Sequence, residues 1–259
     1  MFQEEINGVA AAAAKKVSLL KNRPFAYLLL SMLAGIYVGL GILLIFTIGG
    51  LLSAAGFAGT KIVMGISFGI ALSLVIMAGS ELFTGNNFVM TVGMYQNKVT
   101  LADSIKLWCF CWLGNLVGSV LTAVLFVQSG LNSGAVAEFI ASTALTKTTL
   151  PVSALLIRGL LCNVLVCLAV WCGLKMKSES GKLIMIFWCL FAFITTGFEH
   201  SVANMTLLAI GVMEPMGQTI TIGSYFYNLL FVTLGNMIGG IVLIALPYAI
   251  TAGKEPVKQ

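Results

Sequence analysis

The alternation of apolar runs and polar breaks organises this chain before any single residue does. Uninterrupted apolar runs cover roughly residues 25–52, 104–127, 151–174 and 225–250, and each has the roughly 20 residues a bilayer requires. Two further runs are cut by polar residues: 62–79 resumes at about 88–94, and 182–194 resumes at about 202–210. The pattern predicts six membrane-spanning helices, the second and fifth interrupted. Ahead of them, residues 3–20 place Ile6, Val9, Ala13, Val17 and Leu20 at helical spacing, which predicts an amphipathic helix on the membrane surface. A short helix is expected over 136–145, between the third and fourth spans.

The first break reads A-G-S-E-L-F-T-G-N-N from Ala78 to Asn87, and the second T-T-G-F-E-H-S-V-A-N-M from Thr195 to Met205. In lipid every backbone polar group must be satisfied internally, so irregular backbone at that depth belongs beside protein or a watery cavity. The two breaks occupy the same place, second of three, in each half of the chain. Leu113-Gly114-Asn115-Leu116-Val117-Gly118 in the third span also matches Leu234-Gly235-Asn236-Met237-Ile238-Gly239 in the sixth. A three-span unit that repeats must place its copies in opposite orientations, so an inverted repeat is expected, with a site near the midplane where the breaks meet. The chain divides accordingly as one six-span domain, 1–259: an N-terminal helix over 1–24, a first repeat over 25–127 and a second over 150–250.

Composition agrees. The 259 residues are 59% hydrophobic and 9% charged, against about 25% charged in soluble domains. This is an all-α integral membrane protein. The six cysteines, 109, 111, 162, 167, 172 and 189, all lie in apolar segments and read as small buried hydrophobes rather than as disulfides or metal ligands. Residues 1–24 hold Glu4, Glu5 and scattered lysines and no apolar core, so no cleavable signal peptide is expected.

Charge adds orientation. Lys15, Lys16, Lys21, Arg23, Lys98, Lys106, Lys175, Lys177, Lys182, Lys254 and Lys258 lie on one side of the predicted spans, Lys61 and Lys147 on the other, and Arg158 inside the fourth span. The positive-inside rule makes both termini cytoplasmic. The net charge of +5 is therefore a topology signal, and no nucleic-acid partner is implied.

Candidate chemistry concentrates at the breaks. His200 is the only histidine; it could close a helix end, but ionisable residues inside a membrane usually mark a pathway, and an imidazole exchanges protons near physiological pH. It lacks the companions of a metal site. Glu81 and Glu199 would repel anions as pore liners, so they are expected to accept backbone N–H groups freed where the helices unwind. Thr84 can cap the following half-helix, line the pore, or both. Asn163 and Asn204 could line a path or join helices, whereas Asn115 and Asn236 are expected to serve helix packing beside their glycines. Lys147 is either a solvated surface charge or an attractor at a vestibule. The restarting half-helices, near Asn87 and Val202, bring partial positive charge that favours a small anion.

Together G-S-E-L-F-T-G-N, K-T-T at Lys147, L-C-N-x-L-V-C-L-A-V-W and G-F-E-H-S-V-A-N-M resemble the formate/nitrite transporter family over about residues 5–250. The resemblance implies a homopentamer in the cell membrane (inner or plasma), each protomer with an aquaporin-like fold and its own pore for small anions of weak acids: nitrite, formate or hydrosulfide. It implies a mobile first break, Leu82-Phe83-Thr84, with Thr84 facing His200. It also implies apolar constrictions from Leu72, Leu82 and Phe193, with Phe68 close by; Asn163 and Asn204 near the centre; and Lys147 raising the local positive potential. No cofactor or metal is implied. The anion would gain a proton at His200, directly or through water, and cross as a neutral species; the competing mechanism is simple anion conduction with a gate at Leu82 to Thr84. Neither break contains Asn-Pro-Ala, so an aquaporin itself is not expected. The alternative, an intramembrane enzyme using His200 and Ser201, lacks both G-x-S-x-G and H-E-x-x-H.

Overall fold

A computed structural model describes residues 2–254, and every regular element within them is helical. Lys258, counted above with the basic tail, lies outside the described residues. α1 (Gln3–Asn22) leads into α2 (Pro24–Ala54), where Pro24 takes the first helical position and its missing N–H costs nothing. The second span is α3 (Thr60–Ser67), α4 (Gly69–Leu74) and a wide π turn over Val75–Gly79; after a gap the chain re-enters as α5 (Phe83–Tyr95). α6 (Leu101–Gln128) opens on a capping box between Thr100 and Asp103. α7 (Gly134–Thr148) and α8 (Val152–Lys175) follow.

α9 (Glu179–Thr196) stops at Gly197, whose φ of 82° suits only a residue without Cβ strain. α10 (Ser201–Met213) is the second re-entering half-helix. α11 (Ile222–Ile238) runs through another π turn, Gly239–Ala245, into α12 (Leu246–Ala252). Six stretches are long and apolar enough to cross a membrane: Pro24–Ala54, Thr60–Gly79, Leu101–Gln128, Val152–Lys175, Glu179–Thr196 and Ile222–Ala252.

Two expectations change. The first break is three residues, Ser80–Leu82, not the whole polar stretch to Asn87. Polarity there reflects side-chain bonding rather than irregular backbone: Asn86 lies inside α5 and donates to Glu81 and to Tyr27. α1 is amphipathic as expected, with Ile6, Val9, Ala13, Val17 and Leu20 buried. Its apolar face, however, is covered by the protein, chiefly by α5 and α2, and not left for lipid. Lys21 pins it to Asp103 at 2.7 Å, and Lys16 reaches Glu81.

The long helices pack pairwise, α2 on α6 and α8 on α11, and the repeated L-G-N-x-x-G motif supplies the contact. A Cβ on Gly118 would run into the backbone carbonyl of Met32, and one on Gly239 into that of Leu160. Without a hydrophobic force between helices in lipid, close approach at small residues is what holds such pairs. Gly118→Ala should therefore push α6 off α2 and cost about 1–3 kcal/mol, read as a lower unfolding temperature of the detergent-solubilised protein. An unchanged temperature would mean that the helices can part without loss.

Candidate functional site

The two breaks are held by the same scheme of hydrogen bonds. At the first, the Glu81 N–H donates to Leu30 O on α2 (3.1 Å). The Phe83 N–H, which opens α5, donates to Asn115 Oδ1 (2.9 Å), and Asn115 Nδ2 donates to Glu81 O (2.9 Å) and Ser31 O (2.7 Å). At the second, the Glu199 N–H donates to Arg158 O on α8 (3.2 Å). The Ser201 N–H, which opens α10, donates to Asn236 Oδ1 (2.9 Å), and Asn236 Nδ2 donates to Glu199 O (3.0 Å) and Gly159 O (2.7 Å). One asparagine from a neighbouring long helix thus replaces the missing turn at each break.

The two carboxylates do something else. Glu81 accepts from Lys16 Nζ at 2.6 Å, Asn86 Nδ2 at 2.9 Å and the Tyr27 hydroxyl at 3.2 Å. Glu199 accepts from Lys147 Nζ at 2.7 Å and Asn204 Nδ2 at 2.6 Å. The expected exchange with freed backbone groups is therefore displaced: asparagine amides take the backbone, and each glutamate neutralises a lysine. The reason is geometric, since an amide carries both a donor and an acceptor on one rigid plane and a carboxylate has only acceptors. Lys147 is not an isolated loop charge; it sits in the last turn of α7, largely buried, and its charge is matched.

Between the breaks, His200 caps α10: its Nδ1 accepts from the Ala203 N–H at 3.1 Å. That leaves the ring proton on Nε2, which stands 2.9 Å from the Thr84 hydroxyl. Thr84 Oγ accepts from the ring, so the hydroxyl's own hydrogen is available to a third partner. Both residues are buried, and the N-termini of α5 and α10 lie beside them, directing partial positive charge to this point.

Three cavities are arranged around the pair. A vestibule of about 310 Å³ is lined by Lys61, Lys147, Arg158, Glu199, Asn204 and, at its inner end, Phe193 and His200. A second, of about 420 Å³, is lined by Lys16, Ser80, Glu81, Asn86 and, at its inner end, Leu72 and Leu82. Phe193, His200, Leu72 and Leu82 also bound a central void of about 10 Å³, walled otherwise by Val38, Phe68, Ala71, Val166 and Leu190. Such a space admits about one water. Phe193 meets Phe68 edge to face at 5.6 Å and stacks on His200 at 6.0 Å. The path therefore narrows, between two vestibules, to an apolar space in which His200 is the polar lining residue among those described, backed by its hydrogen bond to Thr84.

The remaining candidates divide. Asn204 lines the first vestibule and is tied to Asn228 as well as Glu199. Asn163 is not among the residues lining the three cavities: its amide donates to Thr84 O (3.3 Å) and Asn236 O (2.7 Å), supporting the break from behind. Phe83 turns outward, lining an apolar groove with Trp108 and Trp112 between α6 and α11. Sequence reasoning missed Lys16, Tyr27 and Asn86 as partners of Glu81. Lys16 was counted only as a topology charge; its place beside the buried positions Ala13, Val17 and Leu20 of α1 was the available signal.

Comparison with known proteins gives one consistent answer. The family model described as formate/nitrite transporter matches residues 3–250. The nitrite transporter NirC of Salmonella typhimurium is 45% identical over 249 residues, covering 96% of this chain and 91% of that protein. A solved FNT family ion channel is 43% identical with a TM-score of 0.92, covering 97% of this chain and all of that one. A solved pentameric formate channel with formate bound superposes with a TM-score of 0.78 at 24% identity, covering 88% of this chain and 96% of that one.

Proposed function

The chain belongs to the formate/nitrite transporter family, and from that membership we propose that it carries small monovalent anions of weak acids, nitrite foremost, across the membrane. The observation that carries the reading is the central void: two wide vestibules bearing charged residues, separated by an apolar space of about 10 Å³ that is walled in part by His200, whose Nε2 meets the buried Thr84 hydroxyl at 2.9 Å. A bare anion pays a large desolvation penalty in such a space, whereas its neutral acid pays little. In this reading the anion reaches the His200–Thr84 pair, gains a proton there, and passes the ring of Leu72, Leu82, Phe68 and Phe193 as the neutral acid. The Thr84 hydroxyl, which accepts from the Nε2–H and keeps its own hydrogen to donate, offers the last polar contact before the constriction. A second proton on His200 must enter at Nδ1, at the expense of the Ala203 bond, so the ring is a carrier of that proton and not its store.

The same reading places the protein in the cell membrane with both termini cytoplasmic, so that the Glu81 vestibule faces the cytoplasm and the Glu199 vestibule the outside. It also takes the protein as a homopentamer with one path per protomer, an arrangement supported by the pentameric neighbour. The test is flux in proteoliposomes holding the purified protein, with nitrite, formate and hydrosulfide compared at one pH. Nitrite should move fastest, and uptake of each anion should make the outer medium more alkaline, one proton leaving it with each anion taken up. Movement of none of the three would overturn the proposal; reversal potentials set by the anion gradient alone would replace co-transport with simple conduction.

A further inference from the structure

Of the two vestibules, the one at Glu199 carries cations that nothing neutralises. Lys147 is matched by Glu199 at 2.7 Å, as Lys16 is matched by Glu81 on the opposite side. Lys61 and Arg158 line the Glu199 vestibule too; both are exposed, and the side chains of both lack an ion-pair or hydrogen-bond partner among the described residues. Arg158 stands in the second turn of α8, within a membrane-spanning helix, where a charge persists only beside water or a partner and usually marks a pathway.

Its backbone has a structural duty, accepting the Glu199 N–H, but that duty does not call for arginine. Leu30 performs it at the first break, accepting the Glu81 N–H and lining the other vestibule. Two positions with one backbone role thus carry Leu on one side and Arg on the other, so the guanidinium answers to something in the cavity. A guanidinium offers paired, coplanar N–H donors that match two oxygens of one anion at once, which a lysine ammonium cannot do. Lys61, across the same vestibule, adds charge without that geometry.

Building on the transport reading, we infer that Arg158 is the anion-recognition residue of the Glu199 vestibule, and that it selects anions with two coplanar oxygens, such as nitrite and formate, over anions with one heavy atom, such as hydrosulfide. The anion is held at Arg158 and handed to His200 along the same cavity wall.

Initial rates in proteoliposomes, measured against concentration for the three anions, test this with Arg158→Lys and Arg158→Gln. Arg158→Lys should raise KM for nitrite and formate about tenfold, the loss of one charge-assisted bond, while KM for hydrosulfide shifts by less than about twofold because the point charge remains. Arg158→Gln should raise all three. Maximal rates should hold, since the central void is untouched. Equal KM shifts for all anions in Arg158→Lys, or none in either variant, would overturn the assignment while leaving transport intact; a wild-type protein that moves no anion would remove the transport reading and this inference with it. A chemical route avoids altering Arg158. The chain has two arginines, Arg23 and Arg158, so in an Arg23→Lys protein phenylglyoxal reports on Arg158 alone. Nitrite and formate should slow its inactivation and chloride should not; equal protection by all three, or by none, would count against the inference.

Discussion

Nitrite uptake by a His200→Asn protein should lose its rise toward acidic pH and fall about 100-fold at the acidic end, the range typical of removing a positioned proton donor. Asn is the informative replacement because it separates the two jobs the imidazole performs. As the residue before α10, His200 accepts the Ala203 N–H through Nδ1; an Asn side-chain oxygen makes the same kind of cap. Folding should therefore survive, and the amide cannot take up and release a proton. The wild type should accelerate as pH falls, because more of the anion meets a proton at the pair. The variant should show a flat profile, checked by stopped-flow uptake in proteoliposomes across about two pH units either side of the imidazole's ordinary value. Retention of the full acid-stimulated component would remove His200 from the proton path and leave Thr84 as a polar contact only.

A second large effect is expected at a residue that never touches the path. Asn236→Leu should lower the stability of the detergent-solubilised protein by about 2–6 kcal/mol, because it takes a bond from three buried backbone groups and leaves the two at the break without a partner, at about 1–3 kcal/mol each. Those groups are the Ser201 N–H, Glu199 O and Gly159 O. Leu keeps the branched outline and the number of side-chain heavy atoms but is bulkier, so overpacking adds to the loss. Asn115→Leu should cost less at the first break, where the Phe83 N–H loses its partner but Glu81 O keeps the Cys111 Sγ–H at 3.1 Å and Ser31 O its bond within α2. Thermal unfolding followed by size exclusion measures both. If Leu is tolerated at either position, the asparagine serves packing and the break is held by other means.

These two predictions also mark where the sequence was and was not legible. The six spans and the two breaks could be read, because hydropathy in a bilayer is a strong constraint and polar residues stand out against it; the approach of Thr84 to His200 came from the family resemblance and not from the pattern. Boundaries at the second break were close for the same reason: Gly197 announces the helix stop. At the first break the polarity of Thr84, Asn86 and Asn87 imitated irregular chain, and α5 in fact begins at Phe83. The roles of Glu81 and Glu199 were not legible. Whether a carboxylate meets a backbone amide or a lysine depends on what another helix brings within hydrogen-bond reach, and Lys16 arrives from α1, 65 positions away. Asn115 and Asn236 hid in the same way, inside a motif whose glycines explain it well enough without them. Arg158 was visible only as the one charge that topology left over.

The central void has an electrical meaning as well as a chemical one. With water-accessible vestibules on both sides, nearly the whole transmembrane voltage must drop across the short apolar plug between Phe193 and Leu82. An ion crossing it as an ion would feel that entire field, about 2.3 kcal/mol for each 100 mV. A neutral acid would feel none of it. Under the proposed neutral-acid crossing, the cargo moves uphill or downhill according to pH and concentration, and stays silent to the membrane potential that drives so much else across the same bilayer.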